Sequence, residues 1–120
     1  MRSRWQEVHG RPPSEDDVDA MFADFVPLQL GCLSQYSKLI PGALDAVAEL
    51  RGRGIRIGST TGYLTEMMKI NRDDAKRQGY EPDSTVCASD VPAGRPYPYM
   101  CLQNAINLNV TTVHACVKVE

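Results

Sequence analysis

The stretch Ile55-Arg56-Ile57-Gly58-Ser59-Thr60-Thr61-Gly62-Tyr63 constrains this chain more than any other. Ile55 and Ile57 alternate as the β-branched residues of a buried strand do, and the run passes straight into hydroxyl residues and a glycine. A strand ending this way brings short hydrogen-bond donors to the rim of an α/β sheet, where such folds bind ligands. Gly58 and Gly62 let the backbone turn or approach a ligand closely. An ordinary strand-to-helix turn with Thr61 as N-cap fits the same residues equally well, so the flanking segments must decide.

Downstream, Leu64 to Gln78 has the spacing of a helix with Met67, Met68 and Ala75 inward and Gly79 as its stop. Asn71 lies near that inward face, and no sequence rule explains it. Thr85-Val86-Cys87-Ala88 is a short apolar run suited to a second parallel strand. Ser89 to Pro98 reads as a loop, Tyr99 to Leu108 as a helix with Met100, Cys101, Ala105 and Leu108 on one face, and Val113 to Val119 as a third strand. Alternating helices and strands imply a parallel sheet with right-handed crossovers.

Upstream, Met1 to His9 resembles the tail of a helix closed by Gly10 and Pro12-Pro13. Ser14-Glu15-Asp16-Asp17 is an N-cap followed by acidic residues that favour the helix dipole. The helix it starts carries Val18, Met21, Phe22, Phe25 and Val26, a stripe read as packing; Pro27 should kink or restart it before Leu28 to Tyr36. Pro41-Gly42 opens the next helix, with Leu44, Val47, Ala48 and Leu50 as its buried face and Gly54 as its end. The expected organisation is residues 1–38 as the end of a helical cap with linking helices, and 39–120 as a partial core domain. A chain that opens in mid-helix and stops at the end of a strand looks truncated at both ends.

Composition narrows the classes. A formal charge of −2 gives no electrostatic footprint for nucleic acid or membrane partners. No apolar run approaches the ~20 residues that span a bilayer, and the N-terminus has no signal-peptide core. The four cysteines, Cys32, Cys87, Cys101 and Cys116, lack C-x-x-C spacing and fall in apolar segments, as buried reduced thiols do. These features suggest a cytoplasmic location. His9 and His114 read as surface or packing residues rather than ligands.

Two elements could act together. Both the Thr60-Thr61-Gly62 turn and the loop Val91-Pro92-Ala93-Gly94-Arg95-Pro96 follow C-terminal ends of expected parallel strands, so they should share one rim. Arginine holds phosphoryl oxygens through paired hydrogen bonds, and Gly94 and Pro96 constrain the backbone that presents it. A solvated arginine in a rigid turn is the plainer alternative.

Gly58-Ser59-Thr60-Thr61-Gly62-Tyr63, Glu66-Met67-Met68, Gln78-Gly79-Tyr80 with Pro82-Asp83, and Asp90-Val91-Pro92-Ala93-Gly94-Arg95-Pro96 together resemble the phosphonoacetaldehyde hydrolases (phosphonatases) of the haloacid dehalogenase superfamily. The resemblance runs from Arg4-Trp5 to Lys118-Val119. It implies an α/β fold: a Rossmann-like, three-layer parallel sheet with a haloacid dehalogenase-like core, here incomplete, preceded by the tail of a helical cap. It also implies Mg²⁺-dependent hydrolysis of phosphonoacetaldehyde to acetaldehyde and phosphate, and a homodimer for the complete enzyme. In that chemistry a lysine Schiff base lets the carbon leave as an enamine, while an aspartate attacks phosphorus and the metal offsets the developing charge.

By the same resemblance, Thr61 matches the superfamily's second motif and Arg95 stands where its third-motif lysine usually lies. Both would bind the phosphoryl group, with Gly62 and Tyr63 shaping the pocket. The family's nucleophile strand and Schiff-base lysine have no counterpart in the motifs present, and neither Lys38 nor Lys69 falls in the lysine's motif. The metal-binding acidic motif would follow Lys118-Val119; Glu120 adjoins that place without matching its pattern. The chain is therefore expected to be inactive alone. If it proved active, Asp83 and Asp90 would be the first residues to examine as nucleophiles. A non-catalytic phosphate- or phosphonate-binding fragment and a related phosphatase are the competing readings, the latter disfavoured by arginine in the Gly-Arg-Pro loop. In the superfamily sheet the nucleophile strand lies between the strands at Ile55 and Val113, so its loss should leave two apolar edges and a marginal, aggregation-prone chain.

Overall fold

The computed structural model describes residues 2–119, so Glu120 lies outside the described residues. The chain divides into two compact units, Met1–Leu33 and Ser34–Glu120.

The first unit holds helices α1 (Arg2–His9) and α2 (Glu15–Cys32). Ser14 starts α2 with a complete capping box. The Asp17 amide donates to Ser14 Oγ at 3.1 Å, and the Ser14 amide donates to Asp17 Oδ2 at 2.8 Å, satisfying two amides that a helix start leaves without partners. Arg11 donates to the same carboxylate at 2.7 Å, and together these hydrogen bonds hold Asp17 well below the usual carboxylate range. Trp5 stacks on His9 at 4.0 Å between ring centroids, with the Arg11 guanidinium 5.5 Å from the indole. Pro27 neither ends nor restarts the helix. It lies inside α2, which continues to Cys32 before a 3-10 turn over Leu33–Tyr36. Phe22 and Phe25 meet edge to face at 6.4 Å but remain exposed, so the aromatic stripe is only partly packed.

The second unit contains α3 (Ala43–Gly52), β1 (Gly58–Thr61), α4 (Thr65–Arg77), β2 (Ser84–Cys87) and α5 (Tyr99–Asn107). The two strands pair in parallel with Gly58 opposite Ser84 and Thr61 opposite Cys87, and α5 packs on both. Met67, Val86, Cys87 and Met100 form the buried apolar core, joined by the buried polar residues Asp74 and Asn104.

Several expectations need correction. The strand expected at Ile55 begins at Gly58, so the hydroxyl cluster is the strand itself rather than the turn after it. The cause is local. The Ile57 amide donates to Asp83 Oδ2 at 2.7 Å and its carbonyl accepts from the Asp83 amide at 2.8 Å, while the Ile55 amide donates back to Leu50 at the end of α3. Thr61 is not an N-cap: Leu64 occupies that position in α4 without a side-chain hydrogen bond.

The third strand, expected over Val113–Val119, is absent among the described residues. Residues 113–115 form a 3-10 turn, with Thr112 Oγ1 accepting from the His114 amide, and residues 111–119 are exposed. A strand needs a neighbour for its amides and carbonyls, and no described strand lies beside this segment. The apolar faces expected of two helices are also smaller than periodicity suggests. Leu44, Ala48 and Leu50 of α3 are exposed, leaving Ala43 and Val47 half-buried, and Cys101 of α5 is exposed. Of the four free thiols, Cys87 is buried, Cys32 half-buried, and Cys101 and Cys116 exposed.

Hydrogen bonds tie the start of the unit to α4. Ser37 Oγ donates to Asp74 Oδ2 at 2.8 Å, the Leu39 amide to Gln78 Oε1 at 3.0 Å, and Gln78 Nε2 to the Ser37 carbonyl at 2.9 Å. Arg77 also pairs with Asp74. The Ser37 hydroxyl is the main reason that the Asp74 carboxyl titrates below its ordinary value.

Candidate functional site

Thr61 closes β1, and its hydroxyl accepts from the Tyr63 amide at 3.3 Å. This bond folds Thr61-Gly62-Tyr63 into a tight hydroxyl turn, leaving Thr61 and Tyr63 half-buried at the strand end and Gly62 exposed. On the neighbouring strand, Cys87 lies opposite Thr61 and begins the turn Ala88–Asp90. The Asp90 carboxylate takes the Cys87 amide at 2.8 Å and its thiol at 3.1 Å. These bonds hold Asp90 below the usual carboxylate range and fix the exit of β2.

From that fixed exit the chain runs through Gly94 to Arg95, which a cis peptide bond joins to Pro96. The loop folds back on itself: a Cβ on Gly94 would stand 3.5 Å from the Ala88 side chain, and the Tyr97 amide donates to the Gly94 carbonyl at 3.0 Å. This returns Arg95 to the end of the other strand. A Cβ placed on Gly62 would lie 3.5 Å from Arg95 Nη2, so the guanidinium covers the Gly62 backbone. Thr61, Gly62, Tyr63 and Arg95 are thus gathered at one rim. A guanidinium beside a hydroxyl turn offers charged and neutral donors to an oxyanion.

Asp90 at this rim and Asp83 at the opposite end of the two strands both have structural partners. Asp83 binds the Ile57 amide and Arg51, and Asp90 binds Cys87. Among the described residues, no three His, Cys, Asp or Glu side chains converge so that they could hold a metal ion. At this rim the Asp90 carboxylate, the kind of ligand Mg²⁺ favours, is occupied on Oδ2 by the Cys87 amide and thiol. Lys38 and Lys69 are exposed, and His114 lies in the exposed segment.

Sequence reasoning missed Asn104. This buried α5 side chain donates from Nδ2 to the Ser59 carbonyl at 2.8 Å and so anchors β1 from its helix-covered face. Its position four residues after Met100, on an otherwise apolar face, was the available signal. The Cys87–Asp90 clasp left no comparable trace, since a cysteine is an unusual start for a capping box.

A parallel β-α-β unit with α5 packed on both strands and Thr61 at a strand end is a partial haloacid dehalogenase-like α/β core. No family model matches the chain. Over 97% of its length it is 50% identical to a phosphonoacetaldehyde hydrolase of Syntrophobacter fumaroxidans, and over 99% it is 50% identical to one of Bacillus cytotoxicus. The crystal structure of a phosphonoacetaldehyde hydrolase-like protein from Oleispira antarctica superposes on 96% of the chain with a TM-score of 0.83 and 39% identity. By sequence and fold, the chain is homologous to the phosphonoacetaldehyde hydrolases. It spans 42% to 45% of the length of these relatives. Among the described residues, no helix is long and apolar enough to cross a membrane.

Proposed function

We propose that this chain supplies the phosphoryl-binding part of a phosphonoacetaldehyde hydrolase, with Thr61 and Arg95 as its principal ligands. The observation that carries this reading is the placement of Arg95 Nη2 over the Gly62 backbone, which joins two loops 33 positions apart in sequence at one strand end. The Arg95 guanidinium would hold two phosphoryl oxygens, and the Thr61 hydroxyl, while still accepting from the Tyr63 amide, would donate its own proton to a third. Gly62 packs within van der Waals range of the guanidinium, since a Cβ there would lie 3.5 Å from Arg95 Nη2. Charge builds on these oxygens as the carbon–phosphorus bond breaks, so donors already in place favour the transition state over the ground state.

The reaction we propose for the complete protein is hydrolysis of phosphonoacetaldehyde to acetaldehyde and phosphate through a lysine Schiff base and an aspartyl-phosphate. In this reading no described residue is given the nucleophile's or the lysine's role, and no step passes through Mg²⁺. A chimera tests the reading, with these 120 residues replacing the matching segment of the Syntrophobacter fumaroxidans relative. It should release phosphate from phosphonoacetaldehyde. Arg95→Ala should lower kcat/KM by about 10²- to 10³-fold, the usual cost of removing a donor from a developing oxyanion. A chimera whose kcat/KM is unchanged by Arg95→Ala would overturn the assignment.

A further inference from the structure

A cleft of about 300 Å³ lies between α4 and β2, lined by Thr65, Met68, Lys69, Arg72, Thr85, Cys87 and Asp90. Thr65, Met68, Lys69 and Arg72 follow one another at helical spacing on one face of α4, opposite the buried Met67 and Asp74. Core packing therefore leaves this face free to line a site.

The charges of the lining are unevenly committed. Asp90, its one carboxylate, is occupied on Oδ2 by the Cys87 amide and thiol. Lys69 and Arg72 form no hydrogen bond or ion pair among the described residues. Glu81 lies within electrostatic range of Arg72 but takes its direct hydrogen bond from Lys76 at 2.7 Å. Thr65 Oγ1 and Thr85 add hydroxyls to the same wall. Two uncommitted cations and two hydroxyls around one cleft match an anion with several oxygens.

We propose that this cleft is a second anion site, for a small dianion of the phosphate class, held by Lys69 and Arg72 with Thr65 and Thr85 as hydroxyl ligands. It goes beyond the Thr61–Arg95 reading and does not depend on it. The two sites are nevertheless neighbours, because Cys87 walls the cleft and pairs in register with Thr61. An anion in the cleft would lie one strand away from the phosphoryl site and would raise the cost of bringing a second anion there.

Inorganic phosphate titrated into the ¹⁵N-labelled chain at constant ionic strength tests this, read at the amides of Thr65, Lys69, Thr85 and Cys87. The Arg95→Ala background removes the first site from the measurement. Saturable shifts at these amides should persist in Arg95→Ala, and K69M/R72M should weaken them at least fivefold; both positions are exposed, so the fold is retained. Methylphosphonate should compete, which separates the shared oxyanion chemistry from a preference for free phosphate. Absence of saturable shifts at these residues, or shifts unchanged in K69M/R72M, would overturn the proposal whatever Gly62 and Gly94 report.

Discussion

Gly58→Ala probes the packing that holds β1 in place. A Cβ at this position would stand 3.1 Å from Asn104 Cγ, 3.3 Å from Asn104 Oδ1 and 3.3 Å from Leu108 Cδ1. Relieving the closest contact requires the buried Asn104 to move by a few tenths of an ångström, and its 2.8 Å hydrogen bond to the Ser59 carbonyl opposes that movement. Overpacking of this kind costs about 1–3 kcal/mol. Replacing glycine within a strand returns about 0.5–1 kcal/mol of backbone entropy. The net expectation is a loss of roughly 0.5–2 kcal/mol, or a drop of about 2–15 °C in melting midpoint for a unit of this size. Urea denaturation followed by circular dichroism measures it, with Gly94→Ala as the control, where the new Cβ meets Ala88 at an ordinary 3.5 Å. Gly58→Ala as stable as the parent, with Gly94→Ala no better, would refute the packing of α5 on β1.

Further expectations follow from the same contacts. Asp74 has a folded pKa below its unfolded value, mainly through Ser37, so its contribution is present above the ordinary carboxylate pKa and lost as pH falls through the folded one. Asp74→Asn should therefore be less stable near neutrality and show a flatter acid limb in melts between about pH 5 and 2; a parallel limb would contradict the clasp. Under native conditions Cys101 and Cys116 should react rapidly with a maleimide and Cys87 slowly, a pattern that peptide mass spectrometry resolves and that equal labelling would contradict.

How much of this could be read from sequence varied with what each residue depends on. Ser14 announced the start of α2 because a cap is a local device, complete within four residues. The helix of Met67 and the strand of Val86 were likewise readable from periodicity and β-branching. Ile55 and Ile57 misled because their pairing is decided by Asp83, 26 positions beyond Ile57, whose side chain takes an amide that a neighbouring strand would otherwise claim. Val113 to Val119 has strand composition, yet sheet formation requires a partner outside the segment, and composition cannot supply one. Leu44 and Leu50 have core spacing but remain partly open to solvent, at 39% and 38% exposure. At the site, shared topology was enough to expect the Thr61 turn and the Arg95 loop on one rim, and the Gly62–Arg95 approach is the detail that only coordinates supply. Asn104 stayed hidden because its partner is a backbone carbonyl 45 positions away.

The central claim is that the hydroxyl turn and the arginine loop form one oxyanion cradle. Phosphate titration of the chain, read at the amides of Gly62, Tyr63 and Gly94, tests it most directly. The account predicts that all three shift along one binding curve and that Arg95→Ala abolishes the three responses together. Separate curves for the two loops, or a Gly62 response that survives Arg95→Ala with unchanged affinity, would contradict it.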